Sequence, residues 1–337
     1  MIRLAINGFG RIGRTAFKVA VDKHASDVEI VAINDLMGPE TLAHLLKYDS
    51  VYGVYNRRVS SGEKNLIVDD KKFLIVAEKE PVNLPWGELQ VDVVIESTGR
   101  FTKSELAQGH VKAGAKRVVI SAPSEDAPTH ILGVNPYDGQ AQVINNGSCT
   151  TNCVGPVTAV MHANFKILKA FMTTVHAYTA EQNLVDGPPP PLHKDLRRAR
   201  AAAVNIVPTT TGAAKAVARS FPEMEGKFDG AALRVPVVCG SVSDFTFLVE
   251  KKTTVEEVNQ VFKQAVENPL YKGILAVTED PIVSTDIIGR SESAIVDLPS
   301  TKVVDGDLVR VLAWYDNEWG YANRLIEQVI EVGRKIS

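Results

Sequence analysis

A reactive-cysteine pattern stands near the middle of the chain, where Cys149 and Cys153 lie four residues apart in the segment SCTTNC. Ser148 and Thr150 flank the first thiol with hydroxyl groups, and His176 follows downstream in a strand-like run. A thiol with an imidazole available to take its proton is the minimum needed for covalent catalysis on a carbonyl carbon. We therefore expect Cys149 to be a nucleophile and His176 to be its acid and base.

Other roles for the cysteines are disfavoured. No second ligand pair at metal spacing lies near Cys149 and Cys153, so we expect no metal site. The chain has three cysteines, too few for a disulfide scaffold and odd in number, which favours a reducing cytoplasm. A helix that starts near Thr151 would favour a thiolate at Cys149 and would argue against an inert core cysteine there. Cys153 would lie one turn inside and pack as a small buried hydrophobe.

The second chemical pattern is a glycine motif near the N-terminus, in which Gly8, Gly10 and Gly13 follow a predicted strand and open a predicted helix. In such a turn one glycine makes the tight bend, the next lets the backbone approach a pyrophosphate, and the last lets helix and strand pack closely. Asp35 ends the next predicted strand about 20 residues on, where a carboxylate can bind the hydroxyls of an adenosine ribose. The spacing predicts a dinucleotide site, and a glycine-rich turn beside a solvated aspartate is the alternative.

Asp35 also bears on the choice between NAD and NADP. Its carboxylate would repel a 2′-phosphate, and Leu36 beside it supplies no compensating positive charge. The sequence therefore favours NAD. A thiol nucleophile combined with a nicotinamide cofactor indicates oxidation of an aldehyde through a thioester.

Further residues are predicted to contact the cofactor. Arg11 and Ile12 open the helix of the glycine motif, whose free N–H groups can hold an anion. Ser97, Thr98 and Ser121 lie at the ends of predicted strands, where a doubly wound sheet presents its ligand crevice.

Several residues of the second half could bind oxyanions. Thr211 and Gly212 precede a helical run and can donate hydroxyl and backbone hydrogen bonds. Arg198 supplies a guanidinium group, and Arg234 is a charge embedded in an apolar strand-like run that needs a partner. A helix cap, a solvated basic face and a structural ion pair are the alternative roles.

The elements that would position these residues differ between the two halves. Alternating strand and helix patterns up to residue 121 predict an α/β, doubly wound, Rossmann-type parallel sheet. The predicted strands there are 2–7, 30–34, 91–97 and 117–121, and the predicted helices are 12–21, 39–46 and 104–113. The second half has strand-like runs at 170–178, 233–239, 241–249 and 308–314 and a helix at 254–267. That pattern indicates an α+β domain with a mainly antiparallel sheet.

We place the domain boundary near Ser148. The sequence predicts an NAD-binding Rossmann domain at 1–148, joined by a C-terminal helix at 321–337, and a catalytic domain at 149–320.

Composition limits the classes of partner. The chain has 337 residues, of which 45% are apolar and 23% charged, as expected for a globular protein of about two domains. Its formal charge of -3 gives no electrostatic case for nucleic acid or an anionic membrane. No run approaches the roughly 20 apolar residues of a membrane helix, and the N-terminal apolar run is too short for a signal peptide. We expect a cytoplasmic protein.

These motifs resemble those of the phosphorylating glyceraldehyde-3-phosphate dehydrogenases. The resemblance runs through essentially the whole chain, and the cysteine block together with the tryptophan-containing block near the end is highly specific for that family. The matching segments are 7–14, 148–153, 176–179, 195–202, 211–215 and 314–321.

The resemblance implies a role for each of these positions. Cys149 would be the nucleophile and His176 the acid and base. Thr179 and Arg234 would hold the substrate phosphate, with Arg198 close by. The attacking inorganic phosphate would be held by four residues, namely Ser148, Thr150, Thr211 and Gly212.

The resemblance also implies the cofactor, the reaction and the assembly. Asn317 would hydrogen-bond the nicotinamide amide, and Tyr321 is grouped with the cofactor ligands. The reaction would be NAD-dependent oxidation of glyceraldehyde 3-phosphate to 1,3-bisphosphoglycerate, in glycolysis or gluconeogenesis. The family is typically a homotetramer.

The loop at 181–194 departs from the family pattern. It is longer than in most members, carries the proline run Pro188–Pro191, and has Glu181 where the family usually has aspartate. A tolerated surface insertion and, less favoured, a proline-rich ligand for another protein are both open for the run.

Two other functions compete with this interpretation. One is oxidation of a related phosphorylated aldehyde, such as erythrose 4-phosphate, with hydrolysis of the thioester. The other is a catalytically idle nucleotide-binding or interaction protein. The retained thiol, imidazole and anion ligands favour the phosphorylating enzyme.

Overall fold

The computed structural model describes residues 1–189 and 195–336. They form two compact units. The first comprises Met1–His130, Pro136–Gly147 and Ala322–Ser337, and the second comprises Ile131–Asn135 and Ser148–Tyr321. The sequence analysis had left 131–135 in the N-terminal domain, but Ile131 is buried in the core of the second unit. Part of the proline run, Pro190 and Pro191, lies outside the described residues.

The first unit is built on an eight-stranded sheet in the order β10-β9-β8-β1-β2-β7-β6-β5. Its pairings are parallel from β10 to β7 and antiparallel for β7–β6 and β6–β5. The strands are β1 Ile2–Asn7, β2 Val28–Asn34, β5 Val59–Ser61, β6 Asn65–Val68, β7 Lys71–Val76, β8 Val93–Glu96, β9 Arg117–Ile120 and β10 Val143–Asn145, and β3 Tyr48–Asp49 pairs separately with β4 Gly53–Val54. The predicted parallel sheet is confirmed.

The strand order explains where this unit can bind a ligand. From β1 the chain moves to β2 on one side and later to β8 on the other, so the direction of winding reverses between β1 and β8. Open parallel sheets bind ligands at the carboxyl ends of strands at such a reversal. The helices α1 Arg11–Lys23, α2 Pro39–Lys47 and α3 Ser104–Lys112 follow β1, β2 and β8 along the chain.

The second unit has a mixed sheet in the order β12-β13-β11-β14-β18-β16-β15, and β17 also pairs with β18. Only β11–β13 and β15–β16 are parallel among these pairings. The strands are β11 Ile167–Ala177, β12 Val207–Thr210, β13 Phe228–Val235, β14 Ser241–Val249, β15 Leu275–Thr278, β16 Ala294–Asp297, β17 Lys302–Val304 and β18 Leu308–Tyr315. The helices are α4 Cys149–Phe165, α5 Ala213–Ser220 and α6 Val255–Glu267.

Helix α4 is almost wholly buried, because its residues from Thr150 to Thr158 pack inside the second unit. Its apolar side chains join those of β14 and β18 in one core, including Phe245 and Phe247. The last helix, α7 Trp319–Arg334, buries an apolar face at helical spacing that includes Leu325 and Val329. Within the described ranges, no helix has both the length and the apolar character to cross a bilayer.

One predicted strand is placed wrongly. The sequence analysis put it at 233–239, whereas β13 runs from Phe228 to Val235. The chain turns directly after Val235, where the Val237 N–H donates to the Val235 carbonyl at 2.7 Å. Pro236 has no N–H to continue the ladder, so the strand ends there.

Candidate active site

The start of helix α4 fixes the position of Cys149. Ser148 is its N-cap, and the Ser148 Oγ accepts a hydrogen bond from the Thr151 N–H at 3.0 Å. In return the Thr151 Oγ1 accepts from the Ser148 N–H at 3.2 Å. This reciprocal cap stabilises a helix that begins at Cys149, two residues before the predicted start, because Ser148 satisfies the free N–H groups. Cys149 therefore occupies the first helical position, at the positive end of the helix dipole.

His176 lies at the end of β11 and meets Cys149. Its Nε2 is 3.4 Å from the Cys149 Sγ, and its Nδ1 is 2.6 Å from the Ala177 carbonyl oxygen. If Nδ1–H donates to that carbonyl, the ring is held in the tautomer whose Nε2 can accept a proton. The structure thus brings together the two residues that the sequence selected separately.

Burial disfavours a charged form of either residue alone, whether the Cys149 thiolate or the His176 imidazolium. It raises the pKa of the Cys149 thiol, against which the positive charge of Arg234 acts. Burial, reinforced by the charge of Arg234, lowers the pKa of His176 to about 3. A proton that moves from Sγ to Nε2 creates both charges together at 3.4 Å. Because opposite charges then attract at short range, transfer within the pair costs less than loss of the thiol proton to solvent.

Arg234 stands beside His176 because parallel strands β11 and β13 pair these two residues in register. Its Nη1 lies 2.9 Å from His176 Nδ1 and donates to the Ala177 carbonyl at 3.0 Å. The Thr179 Oγ1 is 3.5 Å from the same nitrogen. A largely buried guanidinium therefore lies between the imidazole and a hydroxyl, as an anion-binding group would.

A second guanidinium, that of Arg198, is held nearby. Its Nε donates to Thr209 Oγ1 at 3.0 Å and its Nη1 to Glu181 Oε1 at 2.6 Å. The Thr209 hydroxyl donates in turn to Asp195 at 2.7 Å. Sequence analysis missed Thr209 as a ligand of Arg198, although it precedes the predicted anion-binding residues by only two positions.

Tyr315 is a site residue that sequence analysis missed as such, although it lies in a matched motif. Its hydroxyl is 2.9 Å from Thr150 Oγ1 and 2.8 Å from Thr174 Oγ1. Its ring packs edge-on against His176 at 6.0 Å between centroids. The Thr150 hydroxyl, predicted to bind phosphate, thus has a hydrogen-bond partner inside the unit.

The two cysteines of the motif have different surroundings. Cys149 is partly exposed, whereas Cys153 is completely buried, and all three cysteines are free thiols. Burial raises the pKa of Cys153 beyond that of an ordinary thiol. Among residues 1–189 and 195–336 there is no group of three His, Cys, Asp or Glu side chains that could hold a metal ion.

The other residues predicted for the second unit lie on separate elements. Thr211 and Gly212 directly precede α5, and Thr211 Oγ1 accepts from the Ala213 N–H at 3.2 Å. Asn317 is buried, and its Oδ1 accepts from the Gly240 N–H and the Ser241 hydroxyl, so its amide orientation is fixed. Tyr321 is buried within α7.

The glycine motif of the first unit has the geometry that its spacing predicts. Gly8 has φ +93°, and a Cβ there would lie 2.7 Å from the Thr98 backbone nitrogen. A Cβ at Gly13 would lie 2.1 Å from the Gly8 carbonyl oxygen, whereas one at Gly10 would meet nothing within 4 Å. Gly8 and Gly13 are required by the fold, and Gly10 leaves open space above the start of α1.

A cavity of about 320 Å³ lies along this turn. Asp35 lines it, and its carboxylate accepts from the Phe9 N–H at 2.8 Å and the Met37 N–H at 3.0 Å. Gly10 and Thr98 also line the cavity. An open backbone turn for a pyrophosphate and a carboxylate at the second strand end fit an NAD molecule.

The remaining predicted cofactor residues surround the same strand ends. Ser97 Oγ donates to the Gly8 carbonyl at 2.8 Å. Arg11 and Ile12 open α1, and Arg11 pairs with Asp49 at 3.0 Å. Ser121 follows β9, and its N–H donates to the Glu96 carbonyl at 2.9 Å.

Sequence comparison finds a family match for each of the two units. A profile described as the NAD binding domain of glyceraldehyde 3-phosphate dehydrogenase matches residues 2–104, and one for the C-terminal domain of that enzyme matches 148–317. The chain is 52% identical to the glyceraldehyde-3-phosphate dehydrogenase of Mycolicibacterium smegmatis and 52% identical to that of Geobacillus stearothermophilus, each over 99% of both chains. The protein of that name from Streptomyces coelicolor is 51% identical over 99% of both chains. The chain belongs to the glyceraldehyde-3-phosphate dehydrogenase family.

Proposed function

We propose that Cys149 and His176 carry out the NAD-dependent oxidation of glyceraldehyde 3-phosphate to 1,3-bisphosphoglycerate in this protein, through a thioester on Cys149. The observation that carries the proposal is the 3.4 Å contact between the Cys149 Sγ and the His176 Nε2, with Nδ1 directed at a carbonyl. That contact supplies a nucleophile and its base, and a hydrogen bond from Nδ1–H to the Ala177 carbonyl would leave Nε2 to accept the thiol proton.

The first step is addition of the thiol to the aldehyde carbon. His176 takes the thiol proton at Nε2 as the C–S bond forms, which gives a hemithioacetal. The oxyanion that develops lies at the start of α4, where the Cys149 N–H can donate to it. His176 returns the proton from Nε2 to this oxyanion, which completes the hemithioacetal. The neutral imidazole then accepts the hemithioacetal hydroxyl proton as the C–H bond breaks with loss of hydride and the thioester forms. NAD, when bound, supplies the hydride acceptor.

The substrate phosphate is assigned to the guanidinium cluster of the second unit. Arg234 lies beside both the catalytic imidazole and the Thr179 hydroxyl, with Arg198 in the same network. A doubly charged phosphate there would anchor the substrate and orient its aldehyde.

Release of the product needs a second anion site for the attacking phosphate. We assign it to Ser148, Thr150, Thr211 and Gly212. The start of α5 supports this assignment, because Gly212 is its N-cap and helix N-termini bind anions. The Thr150 hydroxyl would have to share its hydrogen bond with Tyr315, so its contribution is the weakest of the four.

The first unit is assigned to NAD. Gly8, Gly10 and Gly13 with Arg11 and Ile12 would hold the pyrophosphate, and Asp35 the adenosine ribose. Ser97, Thr98 and Ser121 line the neighbouring strand ends. In the second unit we assign Asn317 to the nicotinamide amide, because its side-chain oxygen already accepts hydrogen bonds and its NH₂ group is left to donate. Tyr321 is also assigned to the cofactor.

The test is a single-turnover experiment with the full-length protein. In the absence of phosphate, mixing with NAD and glyceraldehyde 3-phosphate should release NADH up to about one equivalent per chain and then stop. Phosphate or arsenate should restart turnover, because both attack the thioester. Steady NADH formation without either anion would show hydrolysis instead, and no burst would refute the thioester.

We also infer a homotetramer in the cytoplasm. Support comes from exposed apolar side chains in the second unit, among them Val204 at 76% and Ile206 at 68% exposure. Such side chains commonly mark subunit interfaces. Sedimentation at micromolar concentration should give four times the 36.6 kDa chain mass, and a monomer would refute the inference.

A further inference from the structure

A carboxylate already lies between the two guanidinium groups of the candidate phosphate site. The Glu181 Oε1 is 2.6 Å from Arg198 Nη1 and 3.9 Å from Arg234 Nη2. The side chain of Glu181 is 31% exposed, against 9% for Arg198 and 14% for Arg234. Glu181 is thus the member of the cluster with the easiest route to solvent.

The two arginines are not held equally. Arg198 is fixed by Thr209 through Nε and by Glu181 through Nη1. Arg234 is held by the Ala177 carbonyl through Nη1 and makes a longer contact of 3.9 Å with Glu181, but its Nε makes no hydrogen bond to any residue in the described ranges. A buried guanidinium with an unused N–H retains capacity for another anion.

We propose that Glu181 is an internal counterion that competes with the substrate phosphate for Arg234 and Arg198, and so sets the affinity for phosphorylated aldehydes. The proposal rests on the assignment of the substrate phosphate to these arginines. A carboxylate with one negative charge offsets one of the two positive charges of the cluster in the free protein, and a phosphate with about two negative charges displaces it on binding.

The identity of residue 181 matters because of its length. Glutamate extends one C–C bond, about 1.5 Å, beyond an aspartate at the same position. Its carboxylate can therefore stay on Arg198 while it remains near Arg234. Glu181→Gln keeps the shape and removes the charge, and Glu181→Asp shortens the reach.

The experiment measures binding of glycerol 3-phosphate, which has the phosphate but no aldehyde, to the full-length protein by titration calorimetry. Glu181→Gln should bind it about tenfold more tightly than the wild type, and Glu181→Asp should fall between them. The KM for glyceraldehyde 3-phosphate should fall in the same order, and by a larger factor than the KM for unphosphorylated glyceraldehyde. Circular dichroism checks that each variant is folded.

Asp186→Asn is the matched control. Asp186 belongs to the same loop and pairs with Arg200 at 2.7 Å, but both side chains are more than half exposed. The variant removes one negative charge without touching the cluster, so its affinity for glycerol 3-phosphate should match the wild type.

Two results would overturn the proposal. If Glu181→Gln binds glycerol 3-phosphate no better than the wild type, Glu181 does not compete with the phosphate. If Asp186→Asn gains as much as Glu181→Gln, the effect is only one of net charge. Neither result depends on the thioester, so a failure of the catalytic assignment would be seen separately in the single-turnover experiment.

Discussion

The candidate site of the first unit is formed mainly by backbone, whereas that of the second unit is formed by side chains. In the first unit the ligand cavity is shaped by backbone, since Gly8 and Gly13 are packed too closely for a side chain and Gly10 leaves open space. In the second unit the site consists of side chains, with Cys149, His176 and Arg234 brought from three separate elements. A site made of backbone should be damaged by adding atoms, and a site made of side chains by removing them.

The largest expected effect tests the side-chain site. Cys149→Ser should lower NADH formation by about 10⁴-fold or more, because the hydroxyl of serine is a far weaker nucleophile than the thiol. Cys153→Ala is the control, since its sulfur is fully buried and contacts the Ala313 carbonyl, at 4.0 Å. It should keep its turnover and lose about 1 kcal/mol of stability. Near-wild-type turnover in Cys149→Ser would remove the thioester mechanism.

The next effect concerns the base. His176→Asn keeps a side-chain N–H for the Ala177 carbonyl but has no Nε2, so kcat should fall by roughly 10²- to 10⁴-fold. Because burial raises the pKa of Cys149, alkylation of the variant by iodoacetamide should need a higher pH than that of the wild type. His162→Asn, near the other end of α4, should leave both rates unchanged. Equal alkylation profiles would mean that His176 does not take the thiol proton.

The backbone site is tested by adding a methyl group. Gly10→Ala should preserve stability, because its Cβ meets nothing within 4 Å, but should weaken NAD binding by about 10- to 100-fold where the pyrophosphate approaches. Gly13→Ala should instead lower the free energy of unfolding by about 3 kcal/mol, because its Cβ would collide with the Gly8 carbonyl. NAD titration and urea unfolding separate the two. Wild-type NAD affinity in Gly10→Ala would refute the predicted approach.

Burial of a titratable ring should make the second unit sensitive to pH. Burial lowers the pKa of His176 to about 3 in the folded chain. Between about pH 6.5 and pH 3, His176 is therefore protonated in the unfolded chain but not in the folded chain. Stability from this residue is present above about pH 6.5 and is lost as the pH falls, at about 1.4 kcal/mol per unit. Urea unfolding from pH 7 to 5 should show a shallower loss in His176→Asn. An identical slope in the variant would mean that the ring is not protected from protonation.

The smallest effect concerns the Tyr315 hydroxyl, which contacts the hydroxyl of Thr150 next to Cys149. Tyr315→Phe leaves Thr150 and Thr174 without their shared partner and should cost about 1 to 2 kcal/mol of stability. The kcat should fall only a few-fold, because the hydroxyl touches neither Sγ nor Nε2. Thr246→Val on the exposed face of β14 is a matched loss of one hydroxyl and should change neither quantity. A loss of kcat as large as that of His176→Asn would place the tyrosine in the chemistry itself.

The bounds of individual strands were predicted well from the sequence, but contacts between residues far apart in the chain were not. β1 and β14 have the predicted bounds, because apolar strand patterns end at a glycine in one case and begin after one in the other. The glycine motif was readable because its three glycines lie within six residues of the chain. The contact of Cys149 with His176 was not, since it depends on packing α4 against a sheet.

The missed interactions have the same cause. Glu96 accepts from the Thr98 N–H at 2.8 Å and lies 3.0 Å from the fully buried His110. These contacts fix the backbone at Thr98, which lines the predicted NAD cavity. Glu96 is a charge inside an apolar strand-like run and so needs a partner, but the sequence does not show that the partner is His110, which lies on another element. Likewise, Tyr315 lies in the segment 314–321 that matches the family, but no sequence pattern predicted that its hydroxyl contacts Thr150 and Thr174.

The in-register pairing of His176 with Arg234 has a consequence for how this chain tolerates change. Both residues are fixed by the β11–β13 ladder, so their spacing does not depend on the length of the chain that joins them. Even a doubling of such a connection costs only about 0.6 kcal/mol of closure entropy. The connection between the two residues can therefore vary in length while the reacting groups keep their positions.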